Sequence, residues 1–376
     1  MSEAPYVLHI WPSKWNLQSL DPTCLAAVMY LQLTIPGKFK VAPCTNPDKS
    51  PNGQLPFLTH GHIAVSTFPS IVAFVTSLAK TSGASGAIDL DAPLTSSQKA
   101  EKVALYAHVE SCISDLVSHM FYGNDTNFWG LTNPVLASEM PIPQKYYVAS
   151  RIRETYKPRL EAAGLWSLPN EEEKKGLFEK DKKKKREYTM SFSRAFEREK
   201  ILDKAKTMLG VHASYLGGKQ FFFGDRPTSL DVYLAAHILL LADPPFPDAI
   251  LQIQLLEYYQ GLIDHARRIQ AQVARVPPYE QFTASGSLLS SLIPRSFSGS
   301  RAQPQVDPAD IQYKRKTLVY ILGTLAVTVA YLYTQVLPFI ASAGDSAESE
   351  NDEDGGGDSE GGEGELEGTF SDEDED

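Results

Sequence analysis

The chain has 376 residues, of which 43% are hydrophobic and 22% are charged. This length and composition suffice for one large folded domain or two smaller ones. The three cysteines lie far apart and form no CxxC pair, which favours a reducing compartment over secretion. The first residues lack the basic and apolar pattern of a secretory signal, so we expect none.

The charge is distributed unevenly along the chain. The formal net charge is -11, from 46 acidic and 35 basic residues. Residues 341–376 hold about 16 of the acids and no Lys or Arg, which leaves about +5 on the remainder. We therefore predict a mildly basic body followed by an acidic disordered tail at 341–376. A basic body favours an anionic membrane lipid surface, and the pattern gives no case for nucleic acid.

Residues 1–80 predict a small α/β unit with the order strand, helix, strand, hairpin, helix. Asp21 before Pro22 is a helix start, because it combines an N-cap residue with a proline in the first turn. Pro56 interrupts the third strand, which implies an edge, a bend or a cis bond. Strands are expected at 6–10, 39–41, 55–58 and 63–65, and helices from residue 22 and at 68–78.

From Ser97 onward we predict helices only, in a domain at 95–275. The run 232–241 is apolar nearly all round, as in a central helix. A charged insertion at 171–187 is interpreted as a solvated helix extension or a flexible insertion, with contact to an anionic membrane or acidic partner as the alternative. Residues 276–316, rich in Ser, Gly and Pro, are predicted to be a linker. One long amphipathic stripe contains Val103, Tyr106, Val109, Ile113, Leu116 and Met120.

Residues 317–340 are predicted to form a single transmembrane helix. These roughly 24 residues carry no formal charge and would extend about 36 Å as a helix, against a hydrocarbon core of about 30 Å. A buried helix of a soluble domain is the alternative. Basic residues at 314–316 precede the segment and acids follow it, so the positive-inside rule places the body in the cytosol and the tail across the membrane.

Four polar side chains recur on one face of this predicted helix: Thr324, Thr328, Tyr331 and Gln335. Polar side chains in lipid prefer protein partners, so we expect this face to contact another membrane protein. Scattered, tolerated polarity is the alternative.

The predicted order of elements resembles the glutathione-transferase architecture, which has an α+β thioredoxin-like N-terminal domain and an all-α C-terminal domain. Pro56 matches the position of the cis-proline in that family. The stretch from Thr228 to Asp231 matches the capping box that starts the central helix of the second domain. We expect the replacement of Asp231 by Ala to cost about 0.5–2 kcal/mol through the lost cap.

The stretches GQLPFLTHGHIAVS, PIPQKYYVASRIRETY and FFFGDRPTSLDVYLAAHILLL resemble the metaxin family of the mitochondrial outer membrane, including its fungal members in the sorting and assembly machinery. The resemblance covers roughly residues 1–275. It implies a non-enzymatic accessory subunit for β-barrel insertion, with the body at the cytosolic face and the tail in the intermembrane space. It also implies three partners: the barrel core subunit, a second transferase-like subunit and the outer-membrane protein translocase.

We predict no catalytic, cofactor-binding or metal-binding residues. For the alternative, a membrane-anchored glutathione-dependent transferase or peroxidase, Ser13 is the nearest hydroxyl for a glutathione thiolate, with Cys24 further along. Thr67 and Phe68 stand where the transferase pattern has Glu and Ser, and Phe68 brings an apolar ring where the glutamyl group should be received.

One helical face combines metal-capable side chains: His108, Cys112, Asp115 and His119. The first and last of these lie about 16 Å apart along a helix, so one ion cannot contact all four. At most one pair could supply half a site. A polar face directed toward the inter-domain cleft or a partner is the simpler interpretation.

Overall fold

The computed structural model describes residues 5–81, 86–166 and 183–282. The chain divides into two units, Met1–Ser285 and Gly286–Asp376, and all of these residues belong to the first. The predicted transmembrane segment 317–340, the acidic tail and most of both the charged insertion and the linker lie outside the described residues. The same holds for the predicted partner-facing side chains Thr324, Thr328, Tyr331 and Gln335. No helix within the described ranges is long and apolar enough to cross a membrane.

A mixed sheet forms the N-terminal part of the body. Its strands are β1 (Tyr6–Ile10), β2 (Phe39–Pro43), β3 (Phe57–His60), β4 (Ile63–Ser66) and β5 (Glu280–Gln281). Their order in the sheet is β4-β3-β1-β2-β5. β1 pairs parallel with β2 and antiparallel with β3, and β3 and β4 form the predicted hairpin. The third strand begins at Phe57, after a cis Leu55–Pro56 bond, rather than at residue 55.

The fifth strand corrects the prediction of helices only after Ser97. Glu280 and Gln281 pair parallel with Lys40 and Val41 on the outer edge of β2. Phe282 N–H donates to the Val41 carbonyl at 2.8 Å, which extends the pairing by one residue. The beginning of the predicted linker 276–316 therefore lies on the sheet. A two-residue strand has no periodicity, so its sequence carries no signal for it.

Two helices complete the N-terminal part: α1 (Pro22–Thr34) and α2 (Phe68–Thr81). Asp21 caps α1 as predicted, because its carboxylate accepts from Cys24 N–H at 2.8 Å. α1 is buried on almost every side and is not a surface helix with one apolar stripe.

Helices α3 to α11 form the second part of the body. Their bounds are α3 (Ser96–His108), α4 (Ser114–Ser118), α5 (Asp125–Asn127), α6 (Asn133–Glu139), α7 (Val148–Ala162), α8 (Lys183–Leu216), α9 (Ser229–Ala242), α10 (Ile250–Tyr258) and α11 (Gln260–Ala274). π-helical turns at Val109–Ile113 and His119–Gly123 make α3 and α4 one continuous helical run over 96–123. α8 includes the last residues of the predicted insertion 171–187.

The spacing of the predicted stripe on α3 explains one wrong prediction. Val103 was expected on the buried stripe, yet it is 62% exposed. Val103 and Val109 are six positions apart, so on a regular α-helix they point about 120° away from each other. Tyr106 is half-buried, and the stripe is fully buried from Val109 onward, at Val109, Ile113, Leu116 and Met120.

α9 is the central helix of the body, as its apolar composition predicts. Every residue from Ser229 to Leu241 is buried. It packs against α1 on one side and α11 on another, so a single hydrophobic cluster continues from Leu8 in the sheet to Val273 in α11. A second, smaller cluster contains Leu20, Phe128, Leu136, Met140 and Ala149.

Candidate functional site

The region after β1 is where a transferase would hold a thiolate. Ser13 is exposed in the loop that follows the strand. Cys24 is fully buried in the first turn of α1. Burial, with a smaller contribution from the Asp21 carboxylate, raises the pKa of the Cys24 thiol well above its usual value. Cys24 is therefore held as a neutral thiol and is not a nucleophile.

Phe68, which the sequence pattern places where a transferase would receive the glutamyl group, is buried among aromatic rings. It follows Thr67, whose φ of 71° lies in the left-handed region, and only 1% of its surface is exposed. Its ring packs edge-on against Tyr30 at 5.7 Å, and stacks with Tyr233 at 5.1 Å and Tyr106 at 6.4 Å. The surroundings of Phe68 are therefore aromatic and closely packed.

The tyrosines of this aromatic cluster are not activated groups. Burial is the main cause that raises the pKa of Tyr30 and Tyr106, and it raises the pKa of Tyr233 to about 12. Each phenol therefore stays protonated near neutral pH. The cluster can hold α1, α2, α3 and α9 together, but it offers no general base.

A cavity of about 450 Å³ lies between α2 and α3, beside this cluster. Asp91, from the segment that precedes α3, is buried at its edge. The Asp91 carboxylate accepts from Lys102 Nζ at 2.8 Å, from Ser229 N–H at 3.0 Å and from Ser229 Oγ at 2.7 Å. These bonds attach the inter-domain segment to the beginning of α9.

Asp231 forms the most extensive buried polar network at the candidate site. One carboxylate oxygen accepts from Thr228 N–H at 2.8 Å and from the Thr228 hydroxyl at 2.6 Å. The other accepts from Phe222 N–H at 2.9 Å and from His265 Nε2–H at 2.8 Å. Asp231 thereby connects the beginning of α9, the preceding loop and α11, whereas the sequence predicts only its local link to Thr228.

Three histidines meet where α3, α8 and α9 pack together. His108 Nδ1 lies 2.9 Å from His212 Nε2, and His237 Nδ1 donates to the Tyr233 carbonyl at 2.8 Å. Burial, followed by the positive charges of His108 and His237, lowers the pKa of His212 to about 3. Burial lowers the pKa of His237 to about 4. These lowered pKa values favour neutral imidazoles at His212 and His237 in the folded protein.

The four side chains of the predicted metal-capable face have separate partners. His108 contacts His212, Asp115 pairs with Arg159, and His119 bonds to the Leu165 carbonyl. The Cys112 thiol is half-buried, forms no disulfide and lies 3.5 Å from the Ser111 hydroxyl. Over residues 5–81, 86–166 and 183–282, no group of three or more His, Cys, Asp or Glu side chains could hold a metal ion.

Burial of the thiols leads to a testable expectation about their reactivity. A thiol reagent applied to the native protein is expected to modify Cys112 first, because Cys24 and Cys44 are buried and burial raises the pKa of both. Mass spectrometry of the labelled peptides measures the order. The Cys112→Ser variant should lose the fast phase, and unfolding should expose the other two thiols. Rapid native labelling of Cys24 would contradict this assignment.

Several residues of these networks are not apparent from the sequence. His265 lies 34 positions from its partner Asp231, and Ser229 lies 138 positions from Asp91. A local pattern such as a capping box is detectable because its partners are three residues apart. Pairs separated by this much chain become visible only in the fold.

Comparison with known proteins finds two kinds of similarity. A family model described as "Outer mitochondrial membrane transport complex protein" matches residues 24–153. The chain is 29% identical over 252 residues to Metaxin-1 of Macaca fascicularis, which covers 67% of this chain and 70% of the relative. It is 30% identical over 166 residues to Metaxin-3 of Danio rerio, which covers 44% and 46%. Over about two thirds of its length, the chain is similar to metaxins.

The C-terminal part of the body is similar to a domain of the glutathione transferases. A family model described as "Glutathione S-transferase, C-terminal domain" matches residues 205–269, which include the end of α8, α9 and most of α11. A glutathione S-transferase of Ceriporiopsis subvermispora, in complex with glutathione, has 14% identity and a TM-score of 0.44, over 73% of this chain and 99% of that one. A transferase of Phanerochaete chrysosporium has 17% identity and a TM-score of 0.40, over 73% and 97%.

Proposed function

We propose that the protein is a non-enzymatic accessory subunit of the mitochondrial outer-membrane machinery that inserts and assembles β-barrel proteins. Its similarity to the metaxins supports this proposal, together with the match over 24–153 to the outer-membrane transport model. The transferase-like body acts as a rigid docking and stabilising module at the cytosolic face. Its partners are the barrel core subunit, a second transferase-like subunit and the outer-membrane translocase.

The geometry of the closed transferase site supports a docking role over catalysis. Ser13 is exposed on a loop, Cys24 is a buried neutral thiol, and Phe68, where the sequence pattern places the glutamyl receptor, is buried. A transferase needs a stabilised thiolate and a polar cradle for the peptide. The residues that remain hold helices together, and this gives a stiff body suited to presenting a surface.

The second part of the proposal concerns the membrane. The charge-free segment 317–340 anchors the body, with the acidic tail in the intermembrane space. The polar face of segment 317–340, whose last member is Gln335, contacts a protein partner in the membrane. A photo-crosslinker at Gln335 should then give protein adducts. The matched position Leu337, about 200° further round a helix, should give mainly lipid adducts.

The decisive experiment is affinity purification of the tagged full chain from mitochondria in a mild detergent. We expect co-purification of the β-barrel core subunit and delayed assembly of newly imported barrel proteins when the chain is depleted. Protease protection of intact and swollen mitochondria, with tags at both ends, measures the orientation. Recovery of no barrel subunit would overturn the proposal. Retention on immobilised glutathione that is abolished in Ser13→Ala would favour the transferase alternative instead.

A further inference from the structure

The structure contains an exposed aromatic loop that the proposed function does not use. Residues 141–147, here called the tip loop, connect α6 to α7 and have the sequence PIPQKYY. We infer that the tip loop inserts its apolar side chains into the interface of an anionic lipid bilayer. The inference rests on the proposed function only in assuming that the body works beside a membrane.

The tip loop exposes large side chains that are usually buried. Ile142 is 68% exposed, Tyr146 is 72% exposed and Tyr147 is 49% exposed. A single exposed apolar residue needs no explanation, but three within six positions form a local patch. Tyrosine is suited to a membrane interface, because its ring is apolar while its hydroxyl stays among the headgroups.

The base of the tip loop is fixed in the body. Met140, just before it, is 6% exposed, and Ala149, just after it, is 2% exposed. Both belong to the second hydrophobic cluster, where Phe128 is fully buried. Trp129, which is 57% exposed, packs edge-on against Phe128 with a centroid distance of 5.0 Å. The exposed side chains thus project from a packed base, which lowers the entropy cost of inserting them.

The backbone of the tip loop satisfies most of its own donors. Pro141 and Pro143 have no N–H. The N–H groups of Lys145, Tyr146 and Tyr147 donate within the loop, to the carbonyls of residues 141, 143 and 144, each at 3.2 Å. An unpaired backbone donor is costly when water is removed. Five of the seven residues of the loop therefore bring no free donor into a lipid interface.

The charge around the tip loop fits anionic headgroups. Residues 140–153 contain Lys145, Arg151 and Arg153 and no acid. Arg153 pairs with Asp125, while Glu139, just before this stretch, pairs with Lys14 at 2.6 Å. Lys145 remains at the centre of the loop, with its Nζ 4.9 Å from the centroid of the Tyr146 ring. A basic group beside exposed aromatic rings is typical of segments that bind anionic bilayers.

Its shape distinguishes the tip loop from a protein-binding groove. Interfaces between proteins concentrate their energy in side chains that fill pockets, whereas peptide-binding sites are concave. The tip loop is a short connection with three exposed apolar side chains, one of which lies beside the Lys145 ammonium group. Such a loop enters a soft bilayer interface without a complementary pocket.

Depth-dependent fluorescence quenching tests the inference on the full chain. A Cys112→Ser background receives an environment-sensitive dye through Tyr146→Cys. The protein is placed on phosphatidylcholine vesicles with a minor fraction of phosphatidylserine and with doxyl-labelled lipid. We expect severalfold stronger quenching at position 146 than at the control position Ser97→Cys. Ser97 is exposed at the far end of the helical run 96–123, about 40 Å from the end where Tyr122 packs on the base of the tip loop.

Two variants connect the quenching to the proposed contacts. With the dye at position 146, the pair Ile142→Ser and Tyr147→Ser should abolish the excess quenching, because the apolar contacts with the acyl region are lost. Lys145→Glu should reduce it on vesicles with phosphatidylserine and should have little effect on pure phosphatidylcholine. Unchanged thermal melting of both variants shows that the body is still folded.

Flotation of the same samples separates this inference from the proposed anchor. Protein that floats with the vesicles but shows equal quenching at positions 146 and 97 overturns the tip-loop inference and leaves the anchor intact. Excess quenching at position 146 supports the inference whether or not the rest of the proposed function holds. A dye that is unquenched on vesicles but shielded on mitochondria indicates a protein partner for the loop, and also overturns it.

Discussion

Replacing Asp231 by Ala is expected to lower the free energy of unfolding by about 4 kcal/mol, well above the 0.5–2 kcal/mol that a lost helix cap alone would cost. Asp231 is fully buried and accepts four hydrogen bonds, from two groups of Thr228, from Phe222 N–H and from His265. The substitution leaves four buried donors without an acceptor, and each costs roughly 1–3 kcal/mol if it cannot find a new one. Relaxation of the surrounding residues and entry of water satisfy some of these donors, so the expected total loss is about 4 kcal/mol.

Denaturant unfolding of the purified chain measures this effect. Asp225→Ala, an exposed acid in the loop before α9, is the matched control and should change the free energy of unfolding by less than about 0.5 kcal/mol. A double-mutant cycle with His265→Ala then isolates the coupling between the two side chains. A loss of only about 1 kcal/mol in Asp231→Ala would mean that the bonds to Phe222 and His265 contribute little. Any import defect should follow the amount of folded protein.

Acidification from pH 7 to pH 4 is expected to destabilise the fold by several kcal/mol through the histidines at the α3, α8 and α9 contact. Burial lowers the pKa of His237 from about 6.5 to about 4 and that of His212 to about 3. Between these values and 6.5 the unfolded chain binds protons that the folded chain does not. Stability is therefore complete above pH 6.5 and is lost as the pH falls toward 4. For His237 alone the loss is on the order of 3 kcal/mol.

The slope of stability against pH provides the measurement. Chemical unfolding at several pH values should show a steep fall below pH 6.5 in the wild type and a shallower one in His237→Gln. The slope is informative even if the variant is less stable at neutral pH. His62→Gln, in the exposed turn of the β-hairpin, should keep the wild-type slope. Equal slopes in all three proteins would contradict the role of the buried histidine.

The sequence predicts those elements of the fold whose signals are local. Asp21 before Pro22 marks the beginning of α1, and the apolar composition of 232–241 marks the central helix α9. It does not reveal β5, because two residues carry no periodicity. The exposure of Val103 follows from its spacing, because six positions on a regular helix place it about 120° from Val109. The first error arises from tertiary pairing, and the second from a predicted stripe whose spacing drifts around a regular helix.

The hydrogen-bond networks of the candidate site are likewise predictable from the sequence only where the partners are close along the chain. The link between Thr228 and Asp231 spans three residues and is visible as a capping box. His265 lies 34 positions from Asp231, and Asp91 lies 138 positions from Ser229. Only the folded structure therefore brings these partners together. On an ideal helix, the side chains of the metal-capable face over 108–119 would point in one direction. The π-helical turns change those directions, and each side chain has its own partner. Spacing predicts proximity only while the helix remains regular.

Strand β5 also affects how the protein can be shortened in the laboratory. A chain that ends at residue 275, the apparent end of the helical domain, lacks Glu280 and Gln281 and uncovers the outer edge of β2. An uncovered edge presents unpaired N–H and C=O groups to other chains and favours edge-to-edge aggregation. Fragments that stop before β5 should therefore precipitate or self-associate, whereas those that continue past Phe282 should stay monodisperse.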